Sequence, residues 1–307
     1  MKLVTFRQDD QLCTGVLSQD EKWIYALSGA DLEDEGMLSL IKNGSQADLD
    51  AVRALAARTP EEVEEKYDLL RTNLAAPIPF PEQDVICLGV NYMDHAAETA
   101  RYGNEDFDGK RQYSVYFSKR VNEAVDPYGD ILSHKDIDDR LDYECELAVI
   151  VGRDAKKVKK EDVKDYIFGY TVLNDVSARN IQMNHEQWYF GKSLDGFTPM
   201  GPCILTRDSI PYPPRLELKS FVNGELRQHS NTDRLIFDID YVVSELSAGM
   251  TLRAGTIISM GTPSGVGFGF QPPKFMKAGD IVECRVEAIG SLINKVVDED
   301  QDEQAWN

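Results

Sequence analysis

The sequence predicts an α+β protein that is mainly β, with a small N-terminal domain and a larger C-terminal domain. Three observations support this prediction. Short apolar runs rich in β-branched residues, bounded by Gly, Pro, Asn and Asp, recur after residue 84. A proline-rich segment at residues 75–81 precedes them, and the region before it mixes strand-like and helix-forming runs. A length of 307 residues also accommodates one large and one small domain.

The small N-terminal domain is predicted to span residues 1–75. Its strand-like runs are residues 3–6 and 23–27, and helix formers follow between residues 49 and 74. This combination indicates a small α+β unit. We assign it no chemistry.

The boundary between the two domains is marked by prolines. Pro77, Pro79 and Pro81 stand at alternate positions, where they forbid a helix and favour an extended chain. Residues 76–83 are therefore predicted to be a linker, and residues 84–307 the larger domain.

The larger domain is predicted to consist mainly of strands. Asn223-Gly224 separates two strand-like runs and favours a type I′ hairpin turn. Helical patterns are clear only at residues 161–166 and 239–247, and the acidic residues 298–303 indicate a solvated end. The predicted strands are residues 85–90, 146–151, 256–260 and 281–286.

Composition and charge exclude several classes of partner. The chain has 53 acidic and 33 basic residues, and its net charge of −20 repels nucleic acid and anionic lipid. It has neither an apolar run at the N-terminus nor a window apolar enough for a membrane helix, so we expect a cytoplasmic protein. Its five cysteines are scattered without a CxxC pair, which argues against a disulfide framework or a thiolate zinc site.

Three carboxylates are candidate metal ligands. Glu144 and Glu146 open an apolar strand two residues apart and therefore project from the same face, where they would repel each other without a cation. Asp175 follows another apolar strand. The simpler alternatives are an edge strand facing water for the glutamates and a helix N-cap for Asp175. An all-oxygen site suits Mg²⁺ or Mn²⁺, with Ca²⁺ as the alternative.

Five sequence blocks together match the pattern of a known family. They are Gly-Val-Asn-Tyr-Met-Asp-His-Ala-Ala-Glu at 89–98, Asp-Tyr-Glu-Cys-Glu-Leu-Ala at 142–148, Asn-Asp-Val-Ser-Ala-Arg at 174–179, Gly-Lys-Ser-Leu-Asp-Gly-Phe at 191–197 and Gly-Thr-Pro-Ser-Gly-Val-Gly at 261–267. With these blocks in the family's order, the sequence resembles the fumarylacetoacetate hydrolase family over most of residues 83–297. This resemblance implies a catalytic domain folded as a rolled mixed β-sandwich, a homodimer, and a metal bound at Glu144, Glu146 and Asp175.

His95 and Glu98 are three residues apart, so one helical turn brings them together. A carboxylate on one imidazole nitrogen orients the ring and leaves the other nitrogen to act as a base. On spacing alone, a surface ion pair is the more common outcome. The resemblance implies that this pair is the family's water-activating dyad.

Three further side chains are candidates for binding the substrate or stabilising its charge. Lys192, between glycines and aromatics, would be a solvated loop lysine on its own, but the resemblance implies an oxyanion stabiliser. Arg179 and Gln182 share one face of the segment after Asp175 and can clamp a substrate carboxylate. They would supply local positive charge in an acidic protein.

The glycine-rich segment at residues 261–267 follows an apolar strand. It lacks the Gly-Lys-Ser/Thr ending of a phosphate loop, so nucleotide binding is not expected. Its amides and the Thr262 hydroxyl are candidates to contact a substrate carboxylate, and a tight turn that needs glycine is the structural alternative.

The leading hypothesis is a metal-dependent hydrolase that cleaves a carbon–carbon bond in an acylpyruvate-like 2-oxo acid. The same chemistry also serves isomerisation or hydration of 2-hydroxydienoates in aromatic catabolism and decarboxylation of oxaloacetate, and the fold alone does not separate these. A metabolite-binding protein without turnover is the alternative from another class. Residues 100–112 are polar and are predicted to be a lid that selects the substrate.

Overall fold

The N-terminal part of the chain forms two α-helices and five short strands. The computed structural model describes residues 1–103 and 112–299. The elements before residue 84 are β1 (Lys2–Gln8), β2 (Gln11–Leu17), β3 (Trp23–Ala26), α1 (Met37–Asn43), α2 (Gln46–Ala56), β4 (Lys66–Asp68) and β5 (Leu74–Ala75).

The rest of the described chain is dominated by strands, with short helices between them. These elements are β6 (Val85–Gly89), α3 (Met93–Gly103), β7 (Val115–Lys119), β8 (Asp130–Leu132), β9 (Leu141–Asp142), β10 (Cys145–Val151), β11 (Ile167–Asn174), β12 (Ser177–Ala178), α4 (Arg179–Asn184), α5 (Tyr189–Lys192), β13 (Met200–Thr206), β14 (Glu217–Val222), β15 (Glu225–Asn231), α6 (Ile239–Gly249), β16 (Ile257–Ser259), β17 (Ile281–Val286) and β18 (Gly290–Val297).

Two large sheets organise these strands. Within the described residues, the larger sheet runs in the order β4-β3-β2-β1-β13-β11-β10-β16-β6-β7, with β5 beside β1. The smaller one runs β15-β14-β17-β18-β8. Both are mixed, because β6 pairs in parallel with β16 and β8 pairs in parallel with β18, whereas their other pairings are antiparallel. The predicted fold class, a mainly β α+β fold of mixed sheets, is confirmed.

The N-terminal strands extend the larger sheet instead of forming a sheet of their own. Strand β1 pairs antiparallel with β13, which places Lys2 opposite Leu205 and Leu3 opposite Ile204. The Thr5 hydroxyl also donates to the carbonyl of Pro77, 2.8 Å away. The two predicted domains therefore share one hydrogen-bonded sheet, and the boundaries at residues 75, 76–83 and 84 stay predictions.

The prediction of helix up to residue 74 was wrong. Helix α2 ends at Ala56, and Thr59 with Pro60 then starts a separate 3₁₀ turn. Lys66–Asp68 forms β4 because its backbone pairs with β3, a tertiary contact that the local pattern of helix formers does not report.

Most of the other predicted elements are present. The predicted strands are found as β6, β10, β16 and β17, and residues 239–247 lie within α6. The hairpin turn is present as well, with Asn223 and Gly224 at φ 51° and 78°. Residues 161–166 form a 3₁₀ helix in place of an α-helix.

Two predictions concern the membrane and the lid. Among the described residues, no helix combines the length and apolar character that a membrane crossing requires. The predicted lid at residues 100–112 lies largely outside the part of the chain that the structure describes.

Strand β10 positions the candidate site. Every residue of this strand is buried, and Cys145 and Leu147 pack in the core that also contains residues of the smaller sheet. Ala148 packs instead in the core that contains the N-terminal helices. Because strand side chains alternate between faces, Glu146 shares the face of Ala148, and Glu144 precedes it on the same side.

Candidate active site

Glu144, Glu146 and Asp175 converge in the interior. One carboxylate oxygen from each lies within 4.8 Å of the others, and the three residues are 6%, 1% and 0% exposed. The edge-strand alternative for the glutamates is wrong, because β10 lies between β11 and β16. The N-cap alternative for Asp175 is also wrong, because Ala178 occupies the N-cap of α4.

Backbone pairing at the ends of β10 and β11 fixes this geometry. Cys145 lies opposite Asn174 in the antiparallel ladder. The Asp175 amide donates to the Glu144 carbonyl at 2.9 Å, and the Glu144 amide donates to the side chain of Asn174 at 3.0 Å. Two predicted ligands at the ends of neighbouring strands are thus held by the same set of hydrogen bonds.

Two buried lysines neutralise Asp175. Nζ of Lys119 donates to Oδ1 of Asp175 at 2.6 Å and to the Val176 carbonyl at 3.0 Å. Nζ of Lys192 donates to Oδ2 of Asp175 and to Oε2 of Glu144, both at 2.8 Å. Burial lowers the pKa of Lys192, but Asp175 and Glu144 outweigh it and raise the pKa above its ordinary value. Lys192 is therefore a fixed ammonium and the solvated-loop alternative is wrong.

The two glutamates differ in their surroundings. Burial raises the pKa of Glu144, yet the charges of Lys192 and Arg179 outweigh that effect and hold its pKa below the ordinary value. Glu146 instead accepts from the Ser259 hydroxyl at 2.5 Å and the Gly261 amide at 2.9 Å, both at Oε2. Its burial, followed by the negative charges of Asp175 and Glu144, raises its pKa well above the ordinary value.

These three residues fit a divalent cation. A buried carboxylate without a cationic partner beside two others is costly, and a bound cation would relieve the repulsion. All donors are oxygens, the ligands that Mg²⁺, Mn²⁺ and Ca²⁺ prefer. The geometry fits the predicted metal site and does not discriminate among the three ions.

His95 and Glu98 form a hydrogen-bonded pair on helix α3. Nδ1 of His95 lies 2.9 Å from Oε2 of Glu98, and Oε1 of Glu98 accepts from the Gly265 amide at 3.1 Å. Their side chains are only 11% and 14% exposed, so the surface-pair alternative is wrong. With Nδ1 held by Glu98, Nε2 is the nitrogen available for proton transfer.

A cavity of about 360 Å³ brings most of the predicted site residues together. Three of the predicted residues, Glu98, Glu146 and Asp175, are not among its lining residues. Aromatic and apolar side chains, including Phe117, Trp188 and Phe268, form the rest of the wall. The predicted residues that line it are His95, Glu144, Arg179, Gln182, Lys192 and Thr262.

The predicted substrate-binding residues are already engaged with protein groups. Nη1 of Arg179 donates to Oε1 of Gln182 at 2.9 Å, and its Nη2 lies 2.7 Å from Oε1 of Glu144. The Thr262 hydroxyl accepts from Gln228 at 2.7 Å and donates to the Cys145 carbonyl at 3.2 Å. Their roles in substrate binding stay predictions.

Two charged residues near the site received no role from the sequence. Lys119 is fully buried at the end of β7 and binds Asp175. Asp142 is also fully buried, and its Oδ2 accepts from Nε of Arg179 at 2.8 Å. Asp142 stands within the block at residues 142–148 that matches the family, and this was the feature of the sequence that could have indicated a role for it.

Comparison with known proteins decides the family. A family model described as fumarylacetoacetate (FAA) hydrolase C-terminal matches residues 84–297. The chain belongs to the fumarylacetoacetate hydrolase family. The matched segment contains every predicted ligand and both members of the dyad.

Relatives within the fumarylacetoacetate hydrolase family differ in the reactions that their names record. Oxaloacetate tautomerase YisK of Bacillus subtilis is 45% identical over 231 residues, which are 75% of each chain. The fumarylacetoacetate hydrolase of Exiguobacterium antarcticum is 35% identical with a TM-score of 0.81, covering 97% of this chain and 99% of that one. Maleylpyruvate hydrolase from Sphingobium sp. SYK-6, in complex with manganese(II) ion and pyruvate, is 28% identical with a TM-score of 0.74, covering 97% and 99%.

Proposed function

We propose that this chain is a divalent-metal-dependent enzyme that moves a proton at the carbon beside the 2-oxo group of a small 2-oxo acid. The substrate we favour is oxaloacetate, interconverted between its keto and enol forms. One observation carries the proposal: His95 lines the same cavity as Glu144 and Lys192. A base, a ligand for a metal and a fixed ammonium are the groups that enolate chemistry uses.

The cavity supplies local positive charge for an anionic substrate. The protein carries a net charge of −20, which opposes the approach of a dianion. Arg179 and Lys192 line the cavity and are both held protonated by neighbouring carboxylates. A divalent ion held by Glu144, Glu146 and Asp175 would add Lewis-acid polarisation of the substrate's oxygens.

Proton transfer falls to His95 in this proposal. In the neutral imidazole with its hydrogen on Nδ1 toward Glu98, Nε2 is the basic nitrogen and takes a proton from the carbon next to the 2-oxo group. The electron pair moves onto the 2-oxo oxygen, where the Lys192 ammonium stabilises the developing charge. Transfer of the proton from Nε2 to that oxygen gives the enol and regenerates the neutral imidazole, and the reverse sequence restores the keto acid.

The relatives support a 2-oxo acid and favour oxaloacetate. The oxaloacetate tautomerase of Bacillus subtilis is 45% identical over three quarters of each chain. A cavity of about 360 Å³ also lies at the small end of ligand sites, which suits a four-carbon acid.

Hydrolysis of a carbon–carbon bond in an acylpyruvate-like acid is the second candidate. The same Nε2 can take its proton from water, which then attacks the distal carbonyl, while Lys192 stabilises the departing pyruvate enolate. Similarity to a maleylpyruvate hydrolase whose structure contains manganese(II) and pyruvate supports this candidate. Isomerisation of 2-hydroxydienoates and decarboxylation of oxaloacetate are further outcomes of the same chemistry.

A substrate panel tests the proposal. Purified protein, stripped with a chelator and reloaded with Mg²⁺ or Mn²⁺, would be given enol-oxaloacetate, acylpyruvates and 2-hydroxymuconate-type acids. We expect metal-dependent loss of the enol absorbance without release of pyruvate or CO₂. Pyruvate and a carboxylic acid from an acylpyruvate would establish the hydrolase instead, and CO₂ from oxaloacetate the decarboxylase.

A control variant makes the panel decisive. Enol-oxaloacetate ketonises without an enzyme, so the rate must exceed that of Glu146→Gln protein prepared in the same way. Stoichiometric metal with no turnover of any substrate would contradict the proposal and favour a binding protein. We also propose a homodimer, from the family resemblance, and its mass can be measured by light scattering.

A further inference from the structure

Asp142 joins the two walls of the cavity. Its side chain is fully buried, and Oδ2 lies 2.8 Å from both Nε and Nη2 of Arg179. On the other side, Oδ1 accepts from the Gly267 amide at 2.6 Å and Oδ2 from the Phe268 amide at 2.9 Å. Oδ1 also accepts from the amide of Tyr143 at 2.9 Å. One carboxylate thus holds donors from two separate segments.

Each of these segments carries a different part of the site. Arg179 begins helix α4 and reaches Glu144 with the same Nη2 that contacts Asp142. The segment with Gly267 and Phe268 begins near Gly265, whose amide holds Glu98. This segment packs closely against Asp142, as a Cβ at Gly267 would stand only 2.6 Å from Oδ1 of Asp142.

We propose that Asp142 is a positioning residue that orients the Arg179 guanidinium for anion binding and holds the segment with Gly267 and Phe268, on the opposite wall, against the same carboxylate. The Asp142 carboxylate binds Nε and shares Nη2 with Glu144, so that the guanidinium spans both carboxylates while Nη1 bonds Gln182, another residue of the cavity lining. Without the negative charge of Asp142, Glu144 becomes the main partner of Arg179 and the guanidinium turns toward Glu144. The effect on turnover rests on the proposed function, whereas the effect on anion binding does not.

Oxalate is the probe, because this planar dianion resembles the enolate of a 2-oxo acid and has no carbon-bound hydrogen to be removed. Its affinity for the Mn²⁺-loaded protein would be measured by calorimetry for the parent and for Asp142→Asn, with Mn²⁺ affinity and thermal unfolding in parallel. We expect Asp142→Asn to lower the affinity for oxalate about tenfold or more, since charge-assisted bonds orient the guanidinium. Asp138→Asn is the matched control, because Asp138 is also buried and binds the Ile181 amide of α4. It should change oxalate affinity by less than about twofold.

A double-mutant cycle separates positioning from a merely structural role. In an Arg179→Met background, Asp142→Asn should lower the affinity for oxalate by no more than about twofold further, because Asp142 acts by orienting Arg179. Arg179→Lys gives a second route if Asp142→Asn does not fold, since a lysine cannot span two carboxylates as a fork does. Arg179→Lys should lower the affinity for oxalate about as much as Asp142→Asn does.

Several results would overturn the proposal. One is an oxalate affinity equal to that of the parent in folded Asp142→Asn or in Arg179→Lys. Another is a loss of oxalate affinity in Asp138→Asn as large as that in Asp142→Asn, or the same loss from Asp142→Asn in the Arg179→Met background as in the parent. A parent protein that does not bind oxalate would also overturn the proposal. Failure of the substrate panel with an Asp142-dependent oxalate affinity would reject the proposed function and leave this inference standing.

Discussion

Gly269 lies directly against the carboxylate of Glu98, so closely that a Cβ at residue 269 would overlap Oε1 and Cδ of Glu98. The overlapped atoms belong to the end of a flexible side chain. Glu98 can therefore move while the fold stays intact. Since Glu98 orients His95 through Nδ1, this packing links a glycine outside the cavity lining to the proposed base.

We predict that Gly269→Ala lowers kcat about tenfold, because an unsupported imidazole loses its orientation as a base. The thermal unfolding midpoint should change little. Gly249→Ala is the matched control, since a Cβ at Gly249 meets nothing within 4 Å, and its kcat should equal that of the parent. A parent-like kcat for Gly269→Ala would mean that Glu98 tolerates displacement.

Substitution of the imidazole itself should have a larger effect. We predict that His95→Asn lowers kcat by roughly 10²-fold or more, the range for loss of a general base. Metal affinity should be retained, because the three carboxylates are untouched. Steady-state rates on the substrate found by the panel, with metal content measured on the same sample, test this. An unchanged kcat would remove the dyad from the mechanism.

Local periodicity predicted the parts of the site that depend on one strand or one turn. Glu144 and Glu146 share a face because strand side chains alternate, and His95 meets Glu98 because a helical turn spans three residues. Neither relationship requires knowledge of the rest of the chain. The sequence groups Asp175 with the glutamates because this residue follows another apolar strand, and the family resemblance then implies that the three bind one metal.

Lys119 shows what local patterns do not report. A lysine after an apolar strand is ordinarily solvated, and nothing near it in the sequence indicates burial. Lys119 is nevertheless fully buried at the end of β7, where it binds Asp175, a residue 56 positions away that directly follows β11. Asp142 depends in the same way on an amide 125 residues distant.

The metal site gives a further prediction through Glu146. Glu146→Gln should lose stoichiometric Mn²⁺ and activity yet remain folded. Burial and two neighbouring carboxylates raise the pKa of Glu146, so the site without metal already favours a neutral side chain at this position. Metal analysis, calorimetry and thermal unfolding would be compared with Glu245→Gln, a control that contacts Tyr116 and Tyr241. Full metal occupancy in Glu146→Gln would place the ion elsewhere.

Lys119 gives the last prediction, because its ammonium and a bound cation neutralise the same carboxylate. Among the residues that the structure describes, Lys119→Met leaves Asp175 with Lys192 as its remaining ion-pair partner, in an interior where both lysines and Asp175 are almost fully buried. Removing one partner of a buried ion pair costs about 3–5 kcal/mol of unfolding free energy. We expect a loss of that size in urea denaturation of the metal-free variant. Because a divalent ion would restore positive charge beside Asp175, saturating Mn²⁺ should stabilise Lys119→Met by more than it stabilises the parent. Equal stabilisation of the two proteins by Mn²⁺ would show that the ion does not neutralise Asp175.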